Sequence, residues 1–218
     1  MSLNRLARSY TSLGRAILRF PHAPWDDALS HGQLQSKAWA VTELGKFKQY
    51  LGLVYVLGGW LGTLPLLMFE SNLRFKKIRS FDIDPSCEPI ADQVNIEHVI
   101  TDWRFKAVTR DMYQINYSHD HQYEIAIPGR SPAPQVETCD TVINTCCDHL
   151  PDFDRWWALV PKGRLVLLQN NDFREPNDHV NIVTSLDAML AQAPMSKLLF
   201  KGKLPLAKYT RFMLIGVK

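Results

Sequence analysis

The sequence predicts an α/β fold in which strands and helices alternate around a largely parallel sheet. A short apolar run, Leu53–Leu57, leads into a glycine cluster, and a mostly apolar segment, 64–70, follows it. A second β-like run, 78–83, comes next and carries Asp82 and Asp84 near its end. Strand, glycine turn, helix, strand and acidic residue together form the first unit of a nucleotide-binding α/β sheet.

The remaining sequence continues this alternation. Further strands are predicted at 105–109, 140–144, 164–169, 197–201 and 209–217, and further helices at about 28–50, 85–95, 153–159 and 185–192. The last two strands follow each other without a helix between them. The segment 117–137 holds two histidines, several carboxylates and three prolines, which indicates a loop or a hairpin inserted between the third and fourth strands.

The glycine cluster resembles the first motif of the class I S-adenosylmethionine (SAM) dependent methyltransferases, an acidic residue followed by GxGxG. Gly58 and Gly62 match the outer glycines. Val56 stands where that family has its acidic residue, and Trp60 stands in place of the middle glycine. The glycine motif is therefore incomplete, whereas the segment FDIDP, which contains Asp82, is common in this superfamily.

The order of elements adds to the resemblance, because the last strand of that family inserts antiparallel beside the sixth. The resemblance covers about 28–218 and implies a Rossmann-like, seven-stranded sheet with an antiparallel last strand and helices on both faces. Residues 1–50 are expected to form an N-terminal helical cap. Residues 51–218 are expected to form the SAM-binding methyltransferase domain, with the insertion at about 117–137.

Ligands of open α/β sheets bind beyond the carboxyl ends of the strands. The resemblance implies SAM as cofactor, with S-adenosylhomocysteine (SAH) as product. Asp82 is implied to bind the ribose with Asp84 as substitute, Asp111 to accept from the adenine amino group, and Ile83 and Met112 to enclose the ring. The cofactor-binding residues implied in this way are Gly58, Gly59, Trp60, Gly62, Asp82, Ile83, Asp111, Met112 and Asn144.

Each of these residues has a structural alternative. Glycines also form tight strand-to-helix turns, and acidic residues also cap helices or close turns. Lys37, on the helix that precedes the first strand, is predicted either to lie on a solvated face or to reach the carboxylate of the cofactor.

The substrate side is predicted after the fourth and fifth strands. Asp148 and His149 stand where the family has a polar pair, and His149 is a candidate general base because imidazole titrates near neutral pH. A structural role for His149 is an equal alternative, since methyl transfer depends mainly on positioning. The segment 169–179 is predicted to be an amide-rich loop in which Asn170 bonds a polar acceptor. His149, Asn170 and Asp148 are thus the catalytic candidates.

No metal site is predicted. Cys146, Cys147, His149 and His179 are metal-ligating residue types, but adjacent cysteines rarely bind one ion and no second spaced pair accompanies them. Four cysteines without a CxxC pair favour a reduced, cytoplasmic protein.

The bulk composition restricts the class of protein. A length of 218 residues suffices for one α/β domain with its own core. No apolar stretch approaches the roughly 20 residues of a membrane span, and a membrane partner is not expected. The formal net charge of +3 is too small to indicate a nucleic-acid partner. The basic segment 1–20 is expected to form a peripheral helix in preference to a targeting peptide.

The predicted function is methyl transfer from SAM to a small polar acceptor by in-line displacement. Three alternatives stay open. GGWLGTLPL followed by FDIDP is also faintly similar to nicotianamine synthases, which transfer the aminocarboxypropyl arm of SAM. A nucleic-acid methyltransferase would use the basic N-terminus, although a DPPY-type tetrapeptide is absent from the sequence. A non-catalytic scaffold with the same fold is the third. Neither the acceptor nor the oligomeric state is predicted.

Overall fold

A computed structural model describes residues 3–118, 121–125, 131, 133–175 and 177–218. The helices within these ranges are α1 (Leu3–Arg19), α2 (Trp25–Ala28), α3 (His31–Lys46), α4 (Thr63–Glu70), α5 (Cys87–Val94), α6 (Ile96–Ile100), α7 (Phe153–Leu159) and α8 (Leu186–Gln192). The strands are β1 (Leu53–Leu57), β2 (Lys77–Asp82), β3 (Phe105–Thr109), β4 (His121–Ile125), β5 (Ala133–Glu137), β6 (Thr141–Asn144), β7 (Leu165–Asn171), β8 (Lys197–Pro205) and β9 (Thr210–Val217).

Seven of the described strands form one sheet in the order β3-β2-β1-β6-β7-β9-β8. The first five strands in this order are parallel to one another, and β9 is antiparallel to both β7 and β8. The predicted seven-stranded sheet with an antiparallel last strand is therefore confirmed. The chain leaves β1 toward β3 on one side and returns to β6 on the other, so a topological switch point lies between β1 and β6.

Strand β1, in the middle of the sheet, is buried along its whole length, which explains its unbroken apolar run. Successive side chains of the strand point to opposite faces. Tyr55 and Leu57 join a core that contains Trp156 of α7. Val56 points the other way and joins a core that contains Met68 of α4.

The N-terminal helices differ in part from the prediction. Helix α1 is present as predicted and packs on α4, α5 and α6. The helix predicted at about 28–50 is present as α3 but is shorter than predicted, and Ser30 separates it from α2. The backbone of Ser30 is extended, and its Oγ accepts a hydrogen bond from Gln33 N at 3.3 Å, which caps α3. Helix α3 ends at Lys46, and Lys48 has a φ of 50°.

The predicted insertion contains an antiparallel hairpin of β4 and β5, one of its two expected forms. Residues 119–120, 126–130 and Pro132 belong to the predicted insertion and lie outside the described residues. No helix in the part of the chain that the structure describes is both long enough and apolar enough to cross a membrane.

Candidate functional site

The turn after β1 lies at the carboxyl edge of the sheet and depends on its glycines. Gly58 and Gly62 have φ values of +58° and +75°, which side chains rarely adopt, and Trp60 joins them with a φ of 48°. A Cβ on Gly59 would overlap Ser80 Oγ of β2, and a Cβ on Gly58 would overlap Cys146 Sγ beyond β6. The glycines therefore let the turn lie directly against both neighbouring strands.

Asp82 ends β2 beside this turn, and its carboxylate is held by two backbone donors. Its Oδ2 accepts from Trp60 N at 2.8 Å, and its Oδ1 accepts from Asp84 N at 3.1 Å. Asp84 is exposed, and the backbone N–H of Ser86 lowers the pKa of its carboxyl group. Of the two carboxylates predicted at this strand end, Asp82 thus contacts the glycine turn.

Three further predicted cofactor residues reach the same edge in different environments. The side chain of Ile83 is 70% exposed beside Asp82. Asp111 is partly exposed, and its Oδ1 accepts from Tyr113 N at 2.9 Å, so it caps the short 3₁₀ helix that includes Met112. Met112 is partly buried against the core that contains Tyr55.

Asn144 ends β6 and is completely buried. Its Oδ1 accepts from Cys146 N at 3.0 Å, and its Nδ2 lies 3.7 Å from Met112 Sδ. Its side chain therefore shapes the turn after β6. Burial raises the pKa of the thiols of Cys146 and Cys147, which keeps both protonated and disfavours them as nucleophiles or metal ligands.

Asp148 and His149 follow β6 in a 3₁₀ turn, and the structure brings His179 to them. The Oδ2 atom of Asp148 lies 3.4 Å from His149 Nε2 and 3.3 Å from His179 Nε2. Asp178 Oδ2 lies 3.3 Å from His149 Nδ1, and the Nδ1 of His179 lies 2.9 Å from the carbonyl oxygen of Phe173. The side chain of Asp148 is 2% exposed, that of His179 12% and that of His149 40%. The cluster thus extends from the interior to the surface.

The amide-rich loop begins later than predicted. Strand β7 continues through Asn171 because that residue pairs with Arg211 of β9. Asn170 has no exposed surface, and its Nδ2 donates to the carbonyl oxygen of Asn181 at 2.8 Å. Its Oδ1 accepts from Asn171 N at 2.7 Å. Asn170 therefore joins two segments of the protein and does not present its amide at the surface.

Lys37 of α3 lies inside the protein, so the solvated-face alternative is wrong. It is 8% exposed, and its Nζ donates to Gln33 Oε1 at 2.6 Å and lies 5.9 Å from the centroid of the Trp60 ring. The pKa of Lys37 is lowered to about 8, mainly by burial and in part by the charge of Arg211, whereas Asp27 opposes both effects.

Arg211 is a site residue that the sequence did not indicate. It is 6% exposed, its Nη1 donates to the carbonyl oxygen of Thr145 at 3.2 Å, and the same atom lies 3.8 Å from Asp148 Oδ1. Because β9 runs antiparallel to β7, its first residues meet the carboxyl edge of the parallel strands. In the sequence, the position of Arg211 as a basic residue at the start of an apolar strand was the one feature that could have indicated this role.

Comparisons with known proteins rest on structure, because no family model matches the chain and no curated protein matches it in sequence. Magnesium protoporphyrin IX methyltransferase (ChlM) of Synechocystis, solved with bound SAH, has a TM-score of 0.60 and 15% identity over 86% of this chain and 83% of its own. The N-methyltransferase NodS of Bradyrhizobium japonicum, in complex with SAH, gives 0.58 and 10% over 96% and 98%. The fold is that of the class I methyltransferases.

A third structure with this fold covers the whole chain. It is the 1,6-didemethyltoxoflavin-N1-methyltransferase of Burkholderia thailandensis, with 12% identity, a TM-score of 0.57 and coverage of 100% of this chain and 92% of its own. In the class I methyltransferase fold of the present chain, the glycine turn, Asp82, Asp148 and Arg211 all lie at the carboxyl edge of the sheet.

Proposed function

We propose that the protein is a SAM-dependent methyltransferase that acts on a small polar acceptor. The observation that carries the proposal is the contact between Asp82 and the glycine turn, Trp60 N to Asp82 Oδ2 at 2.8 Å, in a class I methyltransferase fold. A carboxylate fixed at a strand end, beside a turn whose backbone a ligand can approach, suits a nucleoside with free ribose hydroxyls.

The proposed cofactor orientation follows the edge of the sheet. The turn from Gly58 to Gly62 contacts the methionine part of SAM, Asp82 accepts hydrogen bonds from the ribose, and Ile83 offers its exposed side chain to the adenine ring. Asp111 accepts from the adenine amino group, and Met112 lies on the other side of the ring. The buried Asn144 accepts a hydrogen bond from Cys146 N and so stabilises the turn after β6 beside the proposed cofactor site.

Lys37 is the proposed partner of the SAM carboxylate. Its Nζ lies 5.9 Å from the Trp60 ring, within the glycine turn that would hold the methionine part. The charge of Arg211 also lowers the pKa of Lys37. Two buried cations attract a carboxylate, and binding one would offset part of the cost of their burial.

The acceptor is placed beside Asp148, His149 and His179. A lone pair of the acceptor forms the new bond to the methyl carbon, and the bond from that carbon to sulfur breaks. Its electron pair stays on sulfur, which becomes the neutral thioether of SAH, and the acceptor loses its proton to a base or to water. The protein contributes mainly by holding the acceptor about 3 Å from the methyl group. The general-base role of His149 stays a prediction.

Asn170 has a proposed positioning role on this side. Its amide holds the carbonyl oxygen of Asn181, while Asn181 N donates to the carbonyl oxygen of Asp148 at 2.8 Å and Asn181 Nδ2 donates to that of Cys147 at 2.9 Å. These bonds link the end of β7, the segment that carries His179 and the turn that carries Asp148.

The reaction products separate methyl transfer from its closest alternative. The protein is incubated with SAM labelled in the methyl carbon and a mixture of small amines, carboxylates and phenols. We expect the label in an acceptor and unlabelled SAH beside it. Labelled methylthioadenosine would instead demonstrate transfer of the aminocarboxypropyl arm and contradict the proposal.

A further inference from the structure

Asp148, His149 and His179 form a compact set of metal-ligand types in the described part of the chain. One donor atom from each lies within 4.8 Å of the other two. The two imidazole rings meet edge to face at 86°, with their centroids 4.7 Å apart. The sequence offered Cys146 and Cys147 as ligands beside the two histidines, and adjacent cysteines rarely bind one ion. In the structure the carboxylate of Asp148 accompanies the histidines instead.

The distances from Asp148 Oδ2 to the two Nε2 atoms fit one coordination sphere. Zinc binds imidazole nitrogen and carboxylate oxygen at about 2.0–2.2 Å, so two such ligands in tetrahedral geometry lie about 3.4 Å apart. Asp148 Oδ2 lies 3.4 Å from one Nε2 atom and 3.3 Å from the other. Two histidines and one carboxylate that leave a position open are a ligand set of catalytic transition-metal sites.

The outer contacts orient both imidazoles for this role. The Nδ1 of His179 faces the carbonyl oxygen of Phe173, an acceptor, and must carry the proton in that bond. The Nδ1 of His149 faces the carboxylate of Asp178. Neutral rings that carry their proton on Nδ1 direct the lone pair of Nε2 toward Asp148. Metal-binding histidines commonly donate their second N–H to a carboxylate or backbone carbonyl in this way.

Burial and charge also favour a cation. Among the described residues, the Oδ1 of Asp148 is buried without a hydrogen-bond partner, and Arg211 Nη1 lies 3.8 Å from it. The carboxylates of Asp148 and Asp178 both face the imidazoles of the cluster. Two nitrogen lone pairs and a carboxylate oxygen that face each other need a cation or a proton between them. A proton shared with Asp148 is the competing explanation.

We propose that Asp148, His149 and His179 bind a divalent transition metal ion of the zinc type through Oδ2 and the two Nε2 atoms. His149, at 40% exposure, is on the solvent side, so the remaining coordination position opens outward. If the proposed methyltransferase function holds, an oxygen or nitrogen of the acceptor binds at that position, and the metal ion lowers the pKa of the acceptor group. The metal ion, and not His149 as general base, then promotes loss of the acceptor's proton.

Metal binding is tested on the full chain without SAM. Metal-free protein is titrated with Zn²⁺ in competition with a chromogenic chelator, and with Co²⁺ for its absorption spectrum. We expect one equivalent of metal per chain and no sulfur-to-cobalt charge-transfer band. His179→Gln and His149→Gln should weaken Zn²⁺ binding more than about 100-fold, and the outer Asp178→Asn about tenfold.

The exposed His22 supplies the matched control, because it is a histidine outside the cluster and His22→Gln should bind Zn²⁺ like the wild type. His149→Gln is the variant least expected to disturb folding, given its exposure. Absence of stoichiometric binding, wild-type affinity in both cluster variants, or a sulfur-to-cobalt band would overturn the proposal. Calorimetric binding of SAH to the metal-free protein is measured separately, so failure of the metal site and failure of the cofactor site are distinguishable.

Discussion

Lys37 and Arg211 place two largely buried cations at the carboxyl edge of the sheet. Lys37 is bonded to the neutral Gln33, and Arg211 has Asp148 at 3.8 Å as its nearest carboxylate among the described ion pairs. A buried cation with incomplete charge compensation costs stability. In a site that binds an anion, the bound ligand offsets the free-energy cost of burying these cations.

The sign of the Lys37 effect on stability follows from its pKa, which falls from 10.5 in its ordinary state to about 8 in the folded protein. Below pH 8 the lysine is charged in both states, and the folded state bears the full cost of its burial. Between pH 8 and pH 10.5 the unfolded chain binds more protons than the folded one, so stability rises with pH in that window.

Lys37→Met should therefore stabilise the ligand-free protein at neutral pH. We expect a gain in the free energy of unfolding of up to about 3 kcal/mol at pH 7, which falls to about 1 kcal/mol at pH 10. Urea unfolding of both proteins at the two pH values measures the difference, and effects common to both proteins cancel. A destabilised variant, or a difference that does not change with pH, would contradict this explanation. The same variant should bind SAH more weakly than the wild type.

At the scale of elements, ion pairs of Glu137 fasten the inserted hairpin to the sheet. The Oε1 of Glu137 lies 2.7 Å from Nη2 of Arg79 and 3.6 Å from Nζ of Lys77, both on β2. Arg79 of β2 has a side chain with no exposure, and its Nε and Nη2 donate to the two carboxylate oxygens of Glu137 at 2.8 and 2.7 Å. Its Nη1 donates to the carbonyl oxygen of Trp103 at 2.8 Å. Paired donors of this kind match a carboxylate in geometry as well as in charge.

Removal of Glu137 should be costly because it leaves the Arg79 charge inside the protein. Glu137→Ala is expected to lower the free energy of unfolding by about 3–5 kcal/mol. The exposed Glu175 is the control, and Glu175→Ala should change the free energy of unfolding by less than about 0.5 kcal/mol. The double variant Arg79→Met/Glu137→Met should recover most of the loss. A loss below about 1 kcal/mol in Glu137→Ala would show that the pair does not hold the hairpin.

The elements that the sequence predicted well are those that local patterns determine. Strand β1 and helix α4 follow from an apolar run and a glycine cluster, and their observed bounds differ little from the predicted ones. The end of β7 could not be predicted in the same way, because pairing of Asn171 with Arg211 across the sheet extends it. The amide side chains of Asn170 and Asn171 are typical of loops, but here they lie in a strand because β9, far along the sequence, pairs with them.

The same distinction applies to the candidate site. Asp148 and His149 were predicted because they stand where the resembling family has a polar pair after the fourth strand, and that position can be found from the local sequence. His179 and Arg211 come from segments far along the sequence, and only the fold brings them to Asp148. The metal-ligand geometry was therefore beyond the reach of sequence spacing.

At the scale of the whole molecule, the topology determines where the site lies. The topological switch point between β1 and β6 lies beside the glycine turn, and the antiparallel β9 brings Arg211 to the same edge of the sheet. Helix α3 is tied to this edge by the bond from Gln169 Nε2 to the carbonyl oxygen of Ser36, at 3.0 Å. Residues from both halves of the sheet thus lie at one edge, where ligands of open α/β folds bind.

Calorimetric titration of SAH into the wild type, Asp82→Ala and Asp84→Ala tests the proposed cofactor site most directly. We expect wild-type binding in the low micromolar range or tighter. Asp82→Ala should lose about 1.5–3 kcal/mol of binding free energy, the scale of a hydrogen bond to a charged group. Asp84→Ala should lose less, since Asp84 does not contact the glycine turn. No binding heat up to millimolar SAH, or a larger loss in Asp84→Ala than in Asp82→Ala, would contradict the assignment of this edge as a SAM site.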